Sequence, residues 1–223
     1  LTKGIFNVGA GHTINMSTGQ AATIVNPGAT GTSNFANGTN GFTDADGGTI
    51  SFTGGGGPNH TVNATGLTTF YNLLFTGNST FTITNTGTVL VNGTFTIPNN
   101  NWSWGGSNAP IYGPNSTLSV DRTSQPFPTN SGLEWTATPT ATPTIGVTPG
   151  YPNNVILTTT NNSNFWSPTG NRGLNGSLTL NGKIQLDLTG VTGDFKVGGS
   201  ITINATGTVG HENLKAPTNG NII

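Results

Sequence analysis

Leu174-Asn-Gly-Ser-Leu-Thr-Leu180 and Val197-Gly-Gly-Ser-Ile-Thr-Ile203 align without a gap, and Val91-Asn-Gly-Thr-Phe-Thr-Ile97 matches both. In each, a glycine turn leads into a short strand whose two apolar residues flank a threonine. Side chains alternate faces along a strand, so the apolar pair lies on one face and the threonine on the other. A second pair extends the pattern: Thr80-Phe-Thr-Ile-Thr-Asn-Thr-Gly-Thr-Val89 against Ser200-Ile-Thr-Ile-Asn-Ala-Thr-Gly-Thr-Val209. From Gly176 to Gly199 is 23 residues, inside the range of about 20–50 that marks solenoid repeats. One such repeat cannot bury its apolar face, whereas stacked repeats bury a continuous ladder.

The spacing therefore predicts an all-β chain, a right-handed parallel β-helix (solenoid) with one or two irregular loop insertions. It also predicts which residues stack. Phe95, Leu178 and Ile201 form one inward column; Ile97, Leu180 and Ile203 form another, with threonine outside. About nine or ten coils at the usual strand spacing would give a rod on the order of 45 Å long. The competing reading is a β-sandwich of unrelated strands with coincident Asn-Gly turns.

Two stretches depart from the pattern. Thr136 to Gly150 reads Thr-Ala-Thr-Pro-Thr-Ala-Thr-Pro-Thr-Ile-Gly-Val-Thr-Pro-Gly. Its prolines exclude central strand pairing, and similar strand-like sequence flanks it, so a loop projecting from one coil is expected rather than an interdomain linker. Asn99 to Thr129 is less regular and is expected to hold longer turns. Residues 1–223 thus read as a single domain. Neither Leu1-Thr-Lys-Gly-Ile-Phe6 nor Asn221-Ile-Ile223 resembles the polar cap of a solenoid. The expectation is a segment of a longer chain, or ends covered by something else.

Composition narrows the function. Only 6% of the residues are charged, with 6 Lys plus Arg against 7 Asp plus Glu. Neutralising phosphates needs clustered cations, so nucleic acid is an unfavourable partner. No apolar run approaches the roughly 18 residues of a membrane span. The chain has no cysteine, hence no disulfide framework and no thiolate metal site. Solubility must come from Asn, Thr, Ser and Gly, which suit strands and turns. Eleven Asn-x-Ser/Thr sequons occur; several, such as Asn92 and Asn175, belong to the repeated turn itself.

Several phrases carry a family resemblance. They are Gly48-Thr-Ile-Ser-Phe-Thr-Gly54 followed by Thr68-Thr-Phe-Tyr-Asn-Leu73, then Glu134-Trp135 followed by Gly150-Tyr-Pro-Asn-Asn-Val155, then Val197-Gly-Gly-Ser-Ile-Thr-Ile203. Across residues 48–209 the chain resembles the β-helical repeat regions of large bacterial secreted and cell-surface adhesin-like proteins, the gliding-adhesin-like group exported by the type IX pathway. That resemblance implies a structural or adhesive role outside the cell. It implies partners among other segments of the same protein, like subunits, or cell-surface and polysaccharide ligands. It supplies no catalytic residues.

The residues themselves offer few sites. A glycoside-cleaving centre needs two carboxylates across the substrate. The acids here, Asp44, Asp46, Asp121, Glu134, Asp187, Asp194 and Glu212, show no clear 23-residue repeat, so turns and isolated surface ion pairs are the plainer reading. Asp44 and Asp46, before Gly47-Gly48, are a weak calcium candidate, because alternating Asp can wrap the ion with oxygens; Asp-Gly is also ordinary turn chemistry. His12, His60 and His211 lack ligand spacing, and no cofactor is expected. Trp102, Trp104, Trp135 and Trp166 are the candidates for stacking on a sugar ring, or else they cover ends and corners of the core. The expectation is a non-enzymatic extracellular structural or adhesive module. The alternatives are a carbohydrate-binding module using exposed Trp residues and a β-helix polysaccharide lyase or hydrolase.

Overall fold

The computed structural model describes residues 13–16, 23–26, 49–53, 60–64, 67–76, 80–84, 88–97, 103–106, 109–122, 133–136, 142–159, 165–166, 168, 170, 172–205 and 214–223. Strands run from β1 (Thr13–Met16), β2 (Thr23–Asn26), β3 (Thr49–Thr53), β4 (His60–Ala64) and β5 (Leu67–Phe70) to β6 (Asn72–Thr76) and β7 (Thr80–Thr84). They continue through β8 (Thr88–Val91), β9 (Thr94–Ile97), β10 (Ser103–Gly106), β11 (Ile111–Tyr112), β12 (Thr117–Asp121) and β13 (Asn154–Thr159). The rest are β14 (Phe165–Trp166), β15 (Gly173–Leu174), β16 (Leu178–Gly182), β17 (Gln185–Asp187), β18 (Lys196–Val197), β19 (Ile201–Ala205) and β20 (Leu214–Lys215). A 3-10 turn occupies Leu133–Trp135. No helix among the described residues is long and apolar enough to cross a membrane.

The chain is a parallel β-solenoid. An eight-stranded sheet, ordered β1-β3-β6-β9-β12-β13-β16-β19, runs its length, and each strand belongs to one rung. Its register places Ile14, Ile50, Leu73, Phe95, Leu118, Val155, Leu178 and Ile201 in one column. Ile97, Val120, Leu157, Leu180 and Ile203 form the second. Both expected columns are thus present, and they are longer than the three-residue sets that defined them. From Ile50 to Leu178 the first column is buried, as is the second from Ile97 to Leu180. Threonines between them, such as Thr96 and Thr179, are only half-buried. Eight strands make seven steps at about 4.8 Å, or about 34 Å, shorter than the 45 Å expected, because two rungs are long.

Those rungs are visible in the column spacing. Most successive members lie 22 or 23 residues apart, but Ile14 to Ile50 is 36 and Leu118 to Val155 is 37. The second long rung contains the Pro/Thr stretch. Its neck is closed by the Thr136 amide donating to the Gly150 carbonyl (3.1 Å). Gly150 has φ +66° and a Cβ there would strike the Thr136 side chain, so glycine is required on both counts. The distal part does not simply project. Gly146 donates to the Tyr112 carbonyl (2.9 Å) and Gly150 to that of Pro110 (2.7 Å), so the segment folds back along β11. Within Asn99–Thr129 the described strands β10, β11 and β12 keep register with the rung before, and Phe95 to Leu118 is an ordinary step of 23. The longer step falls between Leu118 and Val155.

Glycine turns set the corners. Gly93 donates to the Tyr71 carbonyl (2.7 Å), Gly176 to Asn153 (2.7 Å) and Gly199 to Gly176 (2.7 Å). At Gly176 a Cβ would collide with the Asn154 side-chain oxygen. The corner repeats glycine because one turn sits directly on the next. Asparagine serves the same stacking: Asn72 Oδ1 accepts from Thr94 N (2.8 Å) and Asn154 Oδ1 from Ser177 N (2.9 Å).

Among the described residues the other two faces of the solenoid are split. The second face has strands β10-β7-β4-β2 before the long rung and β14-β17-β20 after it; the third has β11-β8-β5 before and β15-β18 after. Only the main sheet passes through unbroken.

Candidate functional site

The gap between the two halves of the third face holds the most distinctive chemistry among the described residues. The turn Leu133–Trp135 fills it. Tyr112, at the end of one half, donates its hydroxyl to the Glu134 carbonyl (2.7 Å). Trp135 donates its indole N–H to the carbonyl of Gly173 (3.0 Å), in the first strand of the other half. The Trp135 ring is fully buried and lies 5.9 Å, centroid to centroid, from Phe195 at a tilt of 56°.

Three charged residues are buried at this gap: Arg122, Glu134 and Arg172. These are the only two arginines in the chain. The Arg122 backbone is stitched to β13, its amide donating to Thr158 (2.9 Å) and its carbonyl accepting from Thr159 Oγ1 (3.0 Å). Burial lowers the pKa of both guanidinium groups, that of Arg172 to about 10, and the negative charge of Glu134 opposes the shift in each. Burial and the same charge push the Tyr112 hydroxyl well above its usual value. The Glu134 charge acting on two buried guanidiniums is an electrostatic clasp.

Other acids are accounted for locally. Partial burial would raise the Asp187 carboxyl, but hydrogen bonds from Thr189 and the charge of Lys215 outweigh it and hold the group below its usual value. Lys215 Nζ lies 3.6 Å from Asp187 Oδ2. Asp194 Oδ1 accepts from Asn221 N (2.9 Å). Among the described residues no three His, Cys, Asp or Glu side chains gather as metal ligands.

Of the residues singled out from sequence, only some lie among the described residues. Asp44, Asp46, Trp102, His12 and His211 lie outside the described residues. The backbones of Trp104 and Trp166 lie in β10 and β14, in register with Phe81 and Leu186. Trp135 follows the second of its two expectations: it is fully buried, packed on Phe195 and hydrogen-bonded to Gly173. The Arg–Glu–Arg cluster was missed. Its signal was available, since two arginines flanking the irregular stretch stand out in a chain so poor in charge.

No protein-family model matches the chain, and no curated protein or solved structure matches it.

Proposed function

We propose that this chain is a structural module, a rigid solenoid segment of an extracellular or cell-surface protein with an adhesive role. The observation that supports this reading most is the unbroken main sheet. One apolar column runs through eight rungs and a second through five, and neither is interrupted between β12 and β13. Such a rod sets a distance and presents a long polar surface. The module is non-catalytic and cofactor-free in this reading, and its partners are like subunits, other segments of its parent protein, or cell-surface polysaccharide. The resemblance of residues 48–209 to type IX-exported adhesin repeats supports the location outside the cell. The buried role of Trp135 weighs against sugar stacking at that position.

An antibody against the chain should label intact cells of the producing organism. Labelling only after permeabilisation would overturn the location. Depolymerisation of any neutral or acidic polysaccharide by the purified chain, abolished by Asp187→Asn, Asp121→Asn or Glu134→Gln, would overturn the non-catalytic reading.

A further inference from the structure

The outer face of the main sheet points away from the core, yet its side chains are ordered by the same register as the inner columns. Across the inner rungs β6, β9, β12, β13 and β16, Leu74, Thr96, Ser119, Ile156 and Thr179 form one outward column. Thr94, Thr117 and Asn154 form a second, and Asp121, Thr158 and Asn181 a third. All of these are half-buried. Eight are Thr, Ser or Asn, two are aliphatic, and Asp121 alone carries a charge. Among the described residues the long rung folds along β11, on a different face.

We infer that this outer face binds ice. Rungs of one sheet lie about 4.8 Å apart, and alternate residues along a strand about 6.6 Å apart. The columns therefore lay hydroxyl and methyl groups out on a two-dimensional grid, and the oxygen lattice of an ice prism face has repeats close to both distances. Each hydroxyl donates one hydrogen bond and accepts two, so pairs such as Thr94 with Thr96 and Thr117 with Ser119 can hold waters in lattice positions. Threonine is stiff about χ1, and ladder bonds fix its neighbours. Asn181 Nδ2 donates to Thr158 Oγ1 (3.3 Å), and Asn154 Oδ1 accepts from Ser177 N (2.9 Å). Side-chain ladders help to keep a long sheet flat, and a preordered surface loses little entropy on binding. Leu74 and Ile156 interrupt the hydroxyls with methyl groups and bring no charge that would orient water around itself. A sugar polymer is the less favoured ligand, because none of these positions offers an aromatic ring to stack on. Every position named belongs to an inner rung. Ice binding requires the rigid stack but neither adhesion nor a location outside the cell.

Partition into a slowly growing ice layer tests this with the purified chain. The chain should be enriched in the ice relative to an inert protein of similar size, and it should slow the recrystallisation of fine-grained ice. Thr96→Lys with Thr179→Lys, and separately Ser119→Tyr, should each lower the ice-bound amount at least about tenfold, with circular dichroism reporting the fold. Tyrosine suits a strand, so Ser119→Tyr tests the face even if the two lysines unfold it. Thr142→Lys with Val147→Lys adds the same charge on an exposed loop and should leave ice binding unchanged. Exclusion of the unsubstituted chain from ice would overturn the inference, as would full ice binding by a folded face variant or an equal loss in the loop variant. Binding to an insoluble polysaccharide that the face variants lose, with no enrichment in ice, would assign the face to sugar instead. Failure on ice leaves the proposed structural role standing, and failure of cell-surface labelling leaves ice binding standing.

Discussion

The rungs of β13, β16 and β19 and the long rung between β12 and β13 solve the same problem by different means. In the first, three strands repeat every 23 residues, apolar columns fill the interior, and stacked Asn and Gly turns hold the corner. In the second, 37 residues separate neighbouring strands of the same sheet. Among the described residues the other two faces have no strand pairing across it, and Arg122, Glu134 and Arg172 are buried beside the columns that continue through it. A repeated rung inherits its partners from the rungs above and below. An inserted rung has no such template, so directional bonds and charges must hold it in place.

The largest expected effect lies in the inserted rung. Glu134→Gln removes a negative charge that acts on two buried guanidiniums and should destabilise by about 3–5 kcal/mol in denaturant unfolding. Replacing all three charges together (Arg122→Met, Glu134→Leu, Arg172→Met) should cost far less, because the desolvation of three ions is removed with their attraction. If the single and triple variants cost the same, the clasp is not electrostatic.

In the regular rungs the effect should depend on cover. Leu180→Ala in an inner rung should cost about 2–5 kcal/mol. Ile203→Ala, in the same column one rung further, should cost about 1 kcal/mol or less in dilute solution. Equal losses would mean that the last rung is covered.

The smallest effect belongs to the surface pair. Asp187→Asn should cost no more than about 1 kcal/mol at neutral pH. The folded carboxyl titrates below its ordinary value, so its contribution is present above the unfolded pKa. It disappears as pH falls through the folded one. Wild type and variant should therefore converge in acid, and a gap that persists there would exclude the carboxylate as its source.

Much of this comparison was legible in the chain. The 23-residue step identified the stacking partners of Phe95, Leu178 and Ile201, because period-2 alternation and a repeated glycine turn together leave one register. The long rung was legible only as an exception. Prolines excluded strands from Thr136–Gly150 without saying that Gly146 and Gly150 fold back onto Tyr112 and Pro110. Trp135 stayed open between sugar platform and core cover because exposure is not written in a residue type. Glu134 and Arg172 are 38 residues apart, and no local periodicity links them.

The sequence by itself determined that the chain stacks in parallel rungs, which residues face inward in the regular ones, and one of the two places where that order breaks. These depend on local alternation and on a repeat, both written along the chain. Only the tertiary structure decided how the break is bridged, that both arginines are buried within the field of one glutamate, and that the described rung of β19 leaves Ile201 and Ile203 exposed. Burial of charge and exposure of an apolar layer depend on what lies above and below each residue, and that neighbour is remote in the chain.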